Sequence, residues 1–150
     1  MQLRLLGKTV LLFGALACVG PAQARAEPGL DRGAQLAARG DVVGALAVYR
    51  DVVQARPDLA EGHARLGGMQ LMNQQYADAV HSFQRAVSLG DGSAAPFVGM
   101  GMAYLHMGQY GPARAAFDEA KNRGSAHTQD IDRLLSWLDA RDPPALGTHP

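Results

Sequence analysis

One sequence feature constrains this chain more than any other: a helical hairpin that recurs every 34 residues. The clearest copy is Met100 to Ala120, MGMAYLHMGQYGPARAAFDEA. Small and apolar residues at helical spacing run to Met107, and Gly108 stops them. A second helical pattern follows, with Ala113, Phe117 and Ala120 at i, i+4 and i+7. One period back stand Leu66, Gly67, Ala79, Phe83 and Ala86. Another period back stand Gly33, Gly40, Ala45, Tyr49 and Val52, with Pro57 closing the unit. Repeats of this length are stacked supersecondary units, each burying its apolar face against the next. The expected fold is therefore all-α, a superhelical solenoid of three hairpins.

In this frame the repeats span 26–59, 60–93 and 94–127. Their first helices are expected near Gly29–Arg39, Ala60–Asn73 and Ala94–Met107. The second helices are expected near Val42–Ala55, Tyr76–Leu89 and Tyr110–Asn122. Asp41 is placed to cap the first of these second helices, and Pro57 blocks its continuation. Gly124 is the expected stop of the last. Gly33, Gly67 and Gly101 are expected to face Ala45, Ala79 and Ala113, small against small, so that paired helices approach closely. Tyr49, Phe83 and Phe117 then fill the space between hairpins.

These residues resemble the tetratricopeptide repeat. Leu66-Gly67 and Met100-Gly101 match the Leu-Gly pair of that family's first helix, and Tyr104 its aromatic. Gly108 matches its turn glycine, and Tyr76 and Tyr110 the tyrosine that opens the second helix. The resemblance covers Ala26 to about His127. Arg32 stands where the first repeat should have leucine, so a loosely held first helix is expected. Asp91 and Ser125 replace the closing proline in the later repeats. Residues 128–140 continue the frame as one further helix, with Ile131, Leu134, Leu135 and Leu138 on one face. No second helix follows, which is the pattern of a terminal cap with Asp132, Arg133 and Asp139 toward water. Residues 141–150, with three prolines and a glycine, read as a disordered tail.

Residues 1–24 lie outside the repeats and read as an export signal. Arg4 and Lys8 form a basic start, Thr9 to Val19 an apolar run, and Ala22-Gln23-Ala24 a small-x-small cleavage site. The apolar run is short of the about 20 residues that span a bilayer. Cleavage removes two basic residues and leaves 12 basic against 14 acidic, near −2. The expected location is the periplasm or the exterior of a bacterial cell. Ala15-Leu16-Ala17-Cys18 also resembles a loose lipobox, so lipidation at Cys18 and a membrane-anchored lipoprotein form the alternative. Gly7-Lys8-Thr9 lacks the upstream glycine of a phosphate loop, and Gly99-Met100-Gly101 lies inside a helical pattern with no preceding strand.

Charge and chemistry narrow the function. A formal charge of zero gives no basic field for nucleic acid. Cys18 is the only cysteine, so the chain holds no disulfide framework and no paired-cysteine metal site. The five histidines are scattered and no nucleophile elbow is present, so no enzymatic activity and no cofactor are expected.

The resemblance implies a concave groove lined by the first helices. By that frame its positions are Ala34, Ala37 and Ala38, then Ala64, Gly68, Leu71 and Met72, then Val98, Met102, Leu105 and His106. Leu71, Met72, Val98, Met102, Leu105 and His106 are the expected partner-binding residues. Their apolar, partly thioether character suits a helix or extended peptide of another protein. The groove positions carry none of the Lys, Arg and Asn with which chaperone-binding members clamp a peptide carboxylate. The expected function is a non-catalytic protein–protein interaction module of the envelope, serving assembly of an envelope or secretion complex. The alternatives are a self-associating scaffold and a Cu(I) carrier using Met72, Met102 and His106.

Overall fold

The computed structural model describes residues 27–141. The segment read as an export signal, Cys18 and the expected tail beyond Arg141 lie outside them. Among the described residues there are seven helices and no strand: α1 (Pro28–Ala38), α2 (Val42–Ala55), α3 (Ala60–Met72), α4 (Tyr76–Ser88), α5 (Ala95–His106), α6 (Tyr110–Asn122) and α7 (Thr128–Arg141). Helices touch only within a repeat or between adjacent repeats. The fold is thus the all-α solenoid that the period predicts, with α7 packed on α6.

The helix ends have clear causes. Pro28 opens α1, where its missing N–H is no loss. Asp41 caps α2, its carboxylate accepting the Gly44 N–H at 2.8 Å. Each hairpin turn is a Schellman closure. In the first, the Asp41 N–H reaches the Leu36 carbonyl at 3.0 Å and the Gly40 N–H reaches Ala37 at 2.9 Å. The same pair of bonds recurs at 74 and 108. Gly40 and Gly108 take the required left-handed backbone, with φ of 78° and 70°. The middle repeat has Gln74 there, at φ 60°, the one described residue other than glycine with positive φ. Between repeats, Pro57 closes the first unit, while Gly90 and Gly124 close the second and third by Schellman bonds of their own. The lost prolines are therefore replaced by glycines one position earlier.

The core is a row of clusters between helices. Ala45, Leu46, Tyr49 and Leu66 form the first, and Ala79, Phe83, Met100 and Ala116 the second. Ala113, Phe117 and Ala120 join Ile131, Leu135 and Leu138 of α7 in the third. The expected small-against-small contact takes a different form. A methyl group at Gly33 would meet the Tyr49 ring at 2.4 Å, and one at Gly101 the Phe117 ring at 2.6 Å. Each glycine makes room for the aromatic of its own hairpin, sixteen residues on, and the alanines pack beside it. Phe83 is held from two sides: a methyl at Gly67 would meet it at 2.9 Å and one at Gly99 at 2.4 Å.

Three further features add to the sequence reading. Gln70 and Ser82 are both buried in the α3–α4 contact, where the Ser82 hydroxyl donates to Gln70 Oε1 at 2.6 Å. Asp132 and Asp139 face water as expected and also pair with Lys121 and Arg114 of α6. Lys121 lies late in α6 and Asp132 early in α7, whereas Arg114 lies early and Asp139 late, so the pairs pin the two helices antiparallel. Arg141, assigned to the tail by its neighbouring prolines, ends α7 with its guanidinium 4.6 Å over the Trp137 ring.

Candidate binding groove

A cavity of about 850 Å³ opens between α3, the C-terminal end of α4 and the N-terminal half of α5. Residue size explains its position. On α3, Ala60, Ala64 and Gly68 fall at i, i+4 and i+8 and turn small side chains to the cavity. On α5, Ala95 does the same from the other wall, and Gly99 lines it beside the Phe83 ring. A methyl at Gly68 would meet nothing within 4 Å, so the space there is open. Met69, Phe83 and Val98 supply apolar lining. Its volume lies within the range of about 300–1,000 Å³ typical of ligand sites.

Three charged residues also line the groove. Arg65 Nη2 donates to Glu61 Oε1 at 3.1 Å, an i, i+4 pair along α3. Asp91, in the turn before α5, accepts the Ser93 N–H on Oδ1 at 2.9 Å. Arg65 also acts below the groove. Burial pushes the Tyr49 phenol above its ordinary pKa, and the Arg65 charge pulls it back.

Of the six partner-binding residues expected from sequence, one lines this cavity and the other five lie outside its lining. Val98 lines the cavity. Leu71 packs onto the Phe83 cluster. Met102 and Leu105 pack onto the Phe117 cluster. Met72 is 60% exposed, and the His106 ring stacks on Tyr76 with centroids 4.8 Å apart. Met72, Met102 and His106 therefore occupy three different surroundings. Of the other groove positions in the family frame, Ala64 and Gly68 line the cavity. The shift has a physical reason. Leu71, Met102 and Leu105 pack against core while staying partly exposed, and Ala60, Ala64, Gly68 and Ala95 leave space because they are small. Ala60, Glu61, Met69, Asp91 and Ala95 are lining residues that sequence reasoning missed. The alternation Ala60, Ala64, Gly68 is the signal that points to them.

No protein-family profile and no curated protein matches this sequence. Solved structures do. The TPR2B domain of yeast Sti1, in a complex titled with pHsp70, is 15% identical with a TM-score of 0.71, covering 77% of this chain and 96% of that one. The type III secretion chaperone SycD of Yersinia enterocolitica, in complex with a peptide of the translocator YopD, is 13% identical with a TM-score of 0.73, covering 77% and 92%. MamA of Desulfovibrio magneticus RS-1 is 24% identical with a TM-score of 0.70, covering 77% and 64%. The fold of this chain is the tetratricopeptide-repeat fold.

Proposed function

We propose that the protein is a non-catalytic interaction module that holds an apolar segment of another protein in the groove between α3 and α5. The observation that carries this reading is the groove itself, an open trough with a mostly apolar lining. Exposed apolar surface of this kind marks interaction sites on soluble proteins. The Sti1 and SycD complexes, which share the fold, support it, since the first is a complex with pHsp70 and the second a complex with a peptide of the translocator YopD. Among the described residues no group of three or more His, Cys, Asp and Glu is placed to hold a metal.

The site of action in this reading is the bacterial envelope, in assembly of an envelope or secretion complex. The support is the leader of residues 1–24. Mass spectrometry of the protein from its native host should find a new N-terminus at Arg25 or Glu27. A diacylglycerol-modified Cys18 would instead establish a lipoprotein, and an intact Met1 would overturn export.

Gly68→Gln tests the groove, because it places a long neutral side chain where space is open and improves helix propensity. Partner capture from an envelope extract should be lost with the melting temperature unchanged or raised. Capture at wild-type level by this folded variant would place binding elsewhere.

A further inference from the structure

The three charged residues of the groove are not balanced, and the imbalance bears on what the groove accepts. This inference rests on the groove being the binding site. Arg65 is the one cation in the lining, and its guanidinium is engaged by Glu61. That pair is exposed on both sides, with side chains 55% and 54% accessible, so it is weak and exchangeable. Asp91 is half-buried and makes no ion pair among the described residues. Its Oδ1 is taken by the Ser93 N–H, which leaves its second oxygen free. Two carboxylates from separate elements thus line one apolar trough with a single cation already committed.

We propose that the groove selects segments that join apolar side chains to a lysine or arginine, the cation seated against Asp91. Lysine and arginine suit the place by their shape. Their aliphatic stems lie along apolar walls such as Ala95 and Val98 while the charged head reaches a carboxylate. An acidic segment meets the opposite situation. It brings like charge to Asp91, and Arg65 must leave Glu61 to receive it. The partly enclosed setting keeps the charge preference less screened than on open surface.

The test uses three fluorescein-labelled peptides with the same alternating leucine and alanine core, flanked by lysine, serine or glutamate. Anisotropy titrations with the full chain at low salt should rank them lysine first, serine second, glutamate last. Asp91→Asn keeps the acceptor for Ser93 and removes the charge. It should weaken the lysine peptide about three- to tenfold, leave the serine peptide unchanged and leave melting unchanged. Equal affinities for all three peptides, all abolished by Gly68→Gln, would overturn the charge preference and keep the groove. So would a lysine preference that survives Asp91→Asn. Binding that Gly68→Gln does not touch, or no binding of any peptide, would overturn both.

Discussion

Gly67 and Gly68 are neighbours on α3 with opposite surroundings. A methyl at Gly67 lands 2.9 Å from the Phe83 ring, and that ring has no retreat because Gly99 holds its other face. A methyl at Gly68 points into the groove. Gly67→Ala should therefore destabilise by about 1–3 kcal/mol through overpacking. Gly68→Ala should stabilise by up to about 1 kcal/mol, since alanine loses less backbone freedom on folding. Urea melts of the two variants check this, and equal shifts would contradict the packing of Phe83. Gln74 offers a second test. Its left-handed backbone costs a residue with a Cβ about 1–2 kcal/mol. Glycine removes that strain and gives back about 0.5–1 kcal/mol in chain entropy. Gln74→Gly should raise stability by about 0.5–1 kcal/mol, and a clear loss would mean the turn gains more from the Gln74 side chain than its conformation costs. Single residues were also where the sequence was hardest to read. That Gly33 and Gly101 recur was plain, but their partner was assigned as alanine. Both alanine and aromatic recur at the same period, and only the direction of each Cβ tells them apart.

At the scale of the element, sequence legibility was high. The period sets every helix, and the caps follow from local chemistry: Asp41 as an N-cap, glycine at 40, 108 and 124 as left-handed stops. Helix α7 was legible for the same reason, because Ile131, Leu135 and Leu138 keep the apolar register. Its polar side was not legible. Lys121 and Arg114 meet Asp132 and Asp139 only because α6 and α7 lie antiparallel, a contact that no local pattern encodes. The buried Gln70–Ser82 bond was hidden likewise, since both residues look like surface residues in the chain. Helix α7 makes its own prediction. Leu135 packs with Phe117 and Ile131 in one cluster. Leu135→Ala should cost about 2–5 kcal/mol. Trp137→Ala, at a residue 41% exposed, should cost clearly less. Thermal unfolding of the two compares them, and the reverse order would mean α7 docks by another face.

At the scale of the whole molecule, the fold places first helices side by side and leaves function to what their facing side chains do. The frame of a repeat family names those facing positions, but it does not say which are filled. Leu71, Met102 and Leu105 lie at positions of the right kind and pack, partly buried, against core clusters. Leu105→Asp is therefore expected to damage the fold, which makes it a poor probe of binding, whereas Met72→Asp at an exposed site should be tolerated. The groove is instead where side chains are smallest. This is a tertiary outcome of two helices meeting, legible in the spacing of Ala60, Ala64 and Gly68 only once the cavity is known.

Methyl NMR tests this central claim most directly. Titration of the labelled chain with its captured partner segment should move the methyl signals of Ala60, Ala64, Met69, Ala95 and Val98. Those of Val43, Met72 and Leu134, which lie off the groove, should stay in place. In Gly68→Gln the same titration should move none of them. Shifts confined to Leu134 and the other α7 methyls, or to Val43 on α2, would contradict the account and put the binding surface outside the groove.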